Sequence, residues 1–364
     1  MNRSAFRRVA APSIAALALG LAVSACGAGN ESGSSSGGLS GTLKGAGSSA
    51  QQAAMTTWIA AYQTKNSGVT INYDPSGSGA GITGFTGGSL DFAASDAALD
   101  PTAGEVAAAN KRCGADALEV PDYVSPIAVI YNLDGVKSLN LDAATIANIF
   151  NGTITKWNDS AIAADNPGVK LPSSKINTVH RSDDSGTTDN FTDYLSQASG
   201  GAWTPPASKT WPLKSGEGAN GTSGVVAAVK AGPGSIAYAD NSQAGGLTVA
   251  SIKVGDAYTA PSADGAAKAL AASPLDTTRS AGDMAVKVDR TTTAAGAYPL
   301  MLTSYVIACP TYSSASTAKL VKGFLSYVVS TDGQTAAASG AGSAPLPSSL
   351  QTQAASIING ITSK

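Results

Sequence analysis

Charge is scarce in this chain. Asp, Glu, Lys and Arg make up 13% of its 364 residues, and there is one histidine, His180. Acids and bases nearly cancel, 25 against 23, so there is no basic footprint and nucleic-acid binding is excluded. A single histidine and no cysteine cluster leave no zinc-ligand set. No Gly-Lys dipeptide occurs, which rules out a P-loop, and no G-x-S-x-G elbow lies between a predicted strand and helix. A Ser-His-Asp triad would have to use His180, whose candidate partners Ser182, Asp183, Asp184 and Ser185 are its immediate neighbours. Residues so close in sequence seldom reach triad geometry, and "INTVH" reads as a strand that His180 ends. What stands in place of charge is small and neutral: 41 glycines and a surface of Ser, Thr and Asn, the composition of a turn-rich fold. The length predicts two globular lobes rather than one core.

The first 25 residues are a separate object. Arg3, Arg7 and Arg8 form a cationic start, and Val9 to Val23 is apolar but too short to span a bilayer as a mature helix. The stretch ends in "VSAC", which resembles a bacterial lipobox with Cys26 as the lipidated first residue. Removal of this signal peptide takes away three arginines, leaving 20 basic and 25 acidic residues and a formal charge of −5. An acidic protein still binds anions, but only in a pocket of local donors. Residues 26–42 are Gly/Ser-rich and read as a flexible tether, with the folded body starting near Leu43. Cys113 and Cys309 remain; a lone pair in an exported chain suggests a disulfide, the alternative being two buried thiols.

Along the body, strand and helix patterns alternate. "GVTINYD", "LDFAAS", "SPIAVIYNL", "KINTVHR", "GSIAYAD" and "YPLMLTSYVIAC" read as strands; "LDAATIANIF" and "STAKLVKGFLSYVVS" have helical spacing. The class is α/β, with two sheets of mixed direction expected. The clusters "GAGSSA", "SGSGAG", "ASD" and "DDSGTT" each follow a predicted strand, and several open a helix. Exposed amides and the positive dipole end at a helix N-terminus make an anion site, and hydroxyls add neutral donors. In open α/β sheets such loops gather at the carboxyl ends of strands. "GAGSSA" also fits a dinucleotide fingerprint with Asp74 as ribose partner, a weak match in so glycine-rich a chain. Asp96, Asp183 and Asp184 could hold a hard cation, but the intervening hydroxyls and Arg181 suit an anion better.

Taken in order, "GAGSSA", "YDPSGSGAGI", "LDFAASDAAL", "SPIAVIYNL", "IFNGTITKWND", "RSDDSGTTDNF", "GSIAYAD" and "YPLMLTSYVI" resemble the phosphate-binding proteins of the bacterial high-affinity phosphate ABC transporter. The resemblance covers most of the body, and "IFNG…KWND" and "R-x-D-x-SGT" are its specific elements. It implies a two-lobed periplasmic-binding-protein fold, type II-like, hinged on two crossover strands. Residues 43–125 and 304–364 would form one lobe and residues 126–303 the other. It also implies a receptor without cofactor, metal or catalysis, held at the outer face of the cell membrane by lipid on Cys26 and delivering phosphate to membrane permease subunits. The lobes would bind phosphate through Ser49, Ala50, Ser78 and Asp96 on one side and Arg181, Ser185, Gly186 and Thr187 on the other. Asp183 would position Arg181. Two positions depart from the family: Ala50, where an aromatic is usual, and Asp184, where glycine is common. The first contact is through a backbone amide and survives; the second adds a carboxylate that weakens anion binding unless it points to solvent.

On this reading Asp96 sets selectivity, because a carboxylate facing an anion is tolerable only if the anion brings a proton. Two other functions remain compatible with the cradle. One is a secreted phosphatase or phosphodiesterase, which lacks an evident nucleophile–base pair; the other is a receptor for a different oxyanion such as sulfate, molybdate or phosphonate.

Overall fold

The computed structural model describes residues 38–364. The signal peptide, Cys26 and the tether up to residue 37 lie outside them. The first strand begins at Ser40, three residues inside the predicted tether.

One mixed sheet organises the chain. Its strands are β1 (Ser40–Gly47), β2 (Gly68–Asp74), β3 (Phe92–Ser95), β4 (Leu118–Asn132), β5 (Asn177–Arg181), β6 (Glu217–Ala219), β7 (Ser235–Asp240), β8 (Thr248–Val249) and β9 (Met301–Ala308). The order is β2-β1-β3-β9-β4-β7-β5-β6, with β8 also on β4. The two expected sheets of mixed direction share β4, which joins them into one continuous path. Its first part, Leu118 to Pro126, pairs antiparallel with β9; its second, Ile127 to Asn132, pairs antiparallel with β7. Strands β1, β2 and β3 run parallel, as do β5, β6 and β7.

Two details of β4 matter later. Pro126 is the partner of Met301, so the chain leaves the β4–β9 pair and returns to it at adjacent positions. The register also slips between Ser304 and Tyr305, which face Tyr123 and Pro121, so Asp122 is the extra residue of a bulge. Its carbonyl accepts from Gln334 Nε2 (2.8 Å) and its carboxylate from Gln51 Nε2 (2.8 Å).

Helices cover both faces of the central strands β3, β4, β7 and β9, which are buried along nearly their whole length. On the β1–β3 side Trp58, Phe85, Phe92 and Phe324 are fully buried; on the β5–β7 side Phe150, Phe191 and Tyr238 are, with Phe191 stacked on Tyr238 at 4.2 Å. Cys113 and Cys309 form a disulfide, joining the end of helix Glu105–Cys113 to the residue after β9. Among the described residues no helix is long and apolar enough to cross a membrane.

Candidate functional site

Four turns leave the sheet at neighbouring strand ends, and each opens a helix: α1 (Gln52–Lys65) after β1, α2 (Ser78–Thr86) after β2, α3 (Gly186–Ala198) after β5 and α4 (Gly221–Ala231) after β6. The first amides of a helix have no intrahelical acceptor, so the amides of Ser78, Gly186 and Thr187 are available for a ligand. A negative group at such a point also gains from the helix dipole. Asp96, on the loop after β3, lies among these turns.

The structure brings the predicted residues together, all of them buried except Asp183, which is half-buried. Asp96 N–H donates to Ser78 Oγ (3.1 Å), Ser49 Oγ accepts from Thr222 N–H (3.1 Å), and Ser185 Oγ accepts from Thr188 N–H (3.2 Å) as the cap of α3. Each of these hydroxyls therefore spends a lone pair on a backbone amide; Ser78 and Ser185 keep their protons to donate, while Ser49 Oγ also shares a hydrogen bond with Thr222 Oγ1 (3.0 Å). Thr187 Oγ1 donates to Asp96 Oδ2 over a long 3.3 Å. Ala50 is fully buried, its carbonyl accepting from Gln243 Nε2 (2.8 Å).

Arg181 is the cation of the cluster, with its side chain 2% exposed. Its Nε donates to Asp183 Oδ1 (2.7 Å), its Nη2 pairs with Asp183 Oδ2, and Nη1 reaches Thr222 Oγ1 at 3.5 Å. Asp183 Oδ1 also accepts from Gly221 N–H (3.0 Å), so the guanidinium is braced from β5 and from α4 together. Burial pushes the Asp183 carboxyl up, but the hydrogen bond and charge of Arg181 and the Gly221 amide outweigh it and hold the group below the usual range. Asp96 goes the other way. Burial raises its carboxyl above the usual range, against the Ser48 and Ser304 hydroxyls and the charge of Arg181. One positive and two negative formal charges thus meet here, so an anion would be held by dipoles and hydroxyls rather than by net charge.

Glycine is required where the two sides close. A Cβ on Gly186 would lie 2.7 Å from both Asp96 Cβ and Ser78 Oγ. Gly77, which precedes α2, has φ +103°, and a Cβ there would lie 2.5 Å from Asp183 Oδ2. Further contacts cross the same gap: Gly79 N–H to Asp184 O (3.0 Å), Asn190 Nδ2 to Asp96 O (2.6 Å), and the Lys209–Glu105 ion pair (2.6 Å). Asp184 is exposed, and its carboxylate accepts from Thr210 Oγ1 (2.6 Å) rather than facing Arg181.

His180 takes no part in catalytic geometry. Its ring stacks on Trp211 at 4.9 Å and its Nδ1 lies 2.8 Å from the Arg181 carbonyl. No group of His, Cys, Asp and Glu able to hold a metal ion occurs among the described residues. Asp96 also borders a cavity of about 550 Å³ lined by Asp189, Asn190, Lys209, Arg290 and Thr303; Ser49, Ser78 and Arg181 do not line it.

Three residues at the site escape the sequence reading. Thr222 sits in "ANGTSG", a small-residue turn between a strand and a helix like the four singled out, and was findable by the same rule. Ser48 is hidden by its neighbour: it accepts from Gln51 N–H (3.0 Å) and donates to Asp96 Oδ1 (2.5 Å). Ser304 donates to the same oxygen (2.8 Å) from the middle of β9, where nothing in the local pattern marks it.

The comparisons with known proteins agree with this architecture. Residues 32–332 match the PBP superfamily domain. The phosphate-binding protein PstS 2 of Mycobacterium tuberculosis is 39% identical over 345 residues, covering 93% of this chain and 92% of that protein. PstS 3 of the same organism is 40% identical over 322 residues, covering 87% and 85%. Among solved structures, a high-affinity periplasmic phosphate-binding protein (PfluDING) bound with phosphate superposes with a TM-score of 0.70 at 20% identity, covering 88% of this chain and 99% of that one. A phosphate-binding protein from Stenotrophomonas maltophilia gives 0.68 at 19%, covering 87% and 94%.

Proposed function

Since the chain belongs to the bacterial phosphate-binding protein (PstS) family, we propose that the junction of α1, α2, α3 and α4 with Asp96 and Arg181 is its phosphate site. The protein is the extracytoplasmic substrate-binding component of phosphate ABC transport, and not an enzyme. One observation carries the assignment of the site: a buried, braced arginine and a buried carboxylate stand within a shell of helix N-termini and orientated hydroxyls.

The chemistry divides by residue. Arg181 offers its remaining guanidinium N–H groups to two oxygens of a tetrahedral anion, and Asp183 fixes the plane of that fork. Ser49, Ser78 and Ser185 donate hydroxyl protons, and the amides of Ala50, Gly186 and Thr187 complete the shell. Asp96 accepts a proton from the ligand. Phosphate near neutral pH still carries one; sulfate does not. A hydrogen bond to a charged group contributes roughly 1.5–3 kcal/mol. Sulfate forfeits it and leaves two like charges opposed, so a preference of about 10³ follows.

Residues 43–125 with 304–364 act as one lobe and residues 126–303 as the other, flexing where β4 and β9 pass between them. The contacts across the gap support a closed form, and small-angle scattering with and without phosphate would report the change. Cys26 anchors the chain by lipid to the outer face of the membrane, next to the permease subunits that receive the ligand. The lipobox-like "VSAC" supports this, and radioactive fatty-acid labelling lost in C26A would test it.

The decisive experiment is calorimetric titration of phosphate and then sulfate into protein stripped of ligand by unfolding and refolding. One-to-one phosphate binding with sulfate silent is expected, and D96N should bring the two affinities together. Folded protein that takes up no phosphate would refute the reading.

A further inference from the structure

Asp96 is held unequally. Its Oδ1 accepts two hydroxyl protons, from Ser48 (2.5 Å) and Ser304 (2.8 Å), while Oδ2 has only the long contact from Thr187 (3.3 Å). The direction of the Ser48 bond is fixed, because Gln51 N–H occupies a lone pair of that hydroxyl and leaves its proton for the carboxylate. Ser304 comes from the other side, on a strand paired with both β3 and β4, and is fully buried. Neither serine is among the residues assigned above to touch the ligand.

We propose that Ser48 and Ser304 are specificity-determining residues: their hydroxyls saturate Oδ1, keep buried Asp96 an ionised acceptor, and leave Oδ2 as the one oxygen able to take the ligand's proton. The selectivity part of this rests on the phosphate reading above. Without the clamp, burial prevails. Arg181 from β5 is the cation facing Asp96. Asp122 in the β4 bulge, Asp240 at the end of β7 and Tyr73 on β2 also face it, and each resists ionising beside its charge. A protonated Asp96 donates instead of accepting, and then a fully deprotonated oxyanion such as sulfate becomes acceptable. The two serines thus set the pH below which selection by protonation fails.

The test has two readouts on the full chain. The first is the carboxyl ¹³C titration of Asp96 in ligand-free protein, assigned by its absence in D96N. Its midpoint should rise in S48A and in S304A, rise further in the double variant, and return to wild type in S48T, which restores the hydroxyl. An unmoved midpoint in the folded double variant would overturn the proposal. The second readout is sulfate and phosphate affinity across the range from about pH 5 to about pH 8. The double variant should bind sulfate at least about tenfold tighter than wild type near neutrality, with the effect fading in alkali. D96N should bind sulfate without pH dependence. Unchanged sulfate rejection in a double variant whose midpoint has moved would sink the selectivity claim. If folded wild type binds no phosphate, the site reading fails and takes that claim with it, while the carbon titration still decides the clamp.

Discussion

The β1–β3 side of the molecule reaches the site with Ser48, Ser49, Ser78 and Asp96 and brings no cation. The β5–β7 side brings Arg181, and with it a private counter-charge in Asp183. On the proposed reading the first side discriminates and the second attracts, and each is supported by a different kind of contact. Asp96 is tuned by neutral hydroxyls, whose pull is short-ranged; Arg181 is locked by a charged pair that also recruits the start of α4. Because the attracting charge is largely neutralised by its own brace, affinity and selectivity can be altered separately.

The largest effect should come from breaking the attracting side. R181A leaves the half-buried Asp183 without its partner and removes the fork, so phosphate affinity should fall by about 2–5 kcal/mol, measured by calorimetry. R181K restores the charge but not the two-pronged geometry and should recover little of it.

A second comparison uses acid. Asp183 is held below the usual carboxylate range, so its contribution to stability is present above that range and is lost as pH falls through its lowered folded value. Asp96 is raised, so its contribution is present below the usual range and is lost as pH rises through its folded value. Thermal unfolding against pH should therefore separate them. D183N should flatten the acid limb below about pH 4 and lower stability throughout, whereas D96N should flatten the decline toward neutrality.

The smallest effect concerns the rim. Lys209 and Glu105 join the two sides through an ion pair whose side chains are 13% and 19% exposed. K209A should weaken phosphate binding by about 0.2–1 kcal/mol, and the difference from wild type should shrink in high salt.

The sequence was most legible where pattern and chemistry coincide. "GAGSSA", "SGSGAG" and "DDSGTT" carry small donors just where strands stop and helices begin, and the structure places all of them at one spot. Asp184, which carried the concern about an extra carboxylate, faces Thr210 and solvent while its backbone carbonyl takes the Gly79 amide. The least legible stretch was "LEVPDYV". Two acids and a proline carry no strand pattern, yet the residues form the first part of β4, with Glu119 and Asp122 fully buried. The proline sits beside the bulge, and the acids find partners distant in sequence: Gln51 donates to Asp122, and Leu99 N–H to Glu119 (2.8 Å). Burial raises both carboxyls well above their usual range. Ser304 was missed for the same reason, since a polar residue inside an apolar strand acquires meaning only from what lies across the sheet.

The adjacency of Pro126 and Met301 gives the gene a modular layout. Everything between them departs from and rejoins one point of the sheet, as an inserted cassette would. A short bridge from Pro126 to Met301 would leave β1, β2, β3, the first part of β4, β9 and the disulfide on one continuous chain. Exchange of the cassette between relatives would then swap the arginine side of the site as a single block, leaving the aspartate side intact.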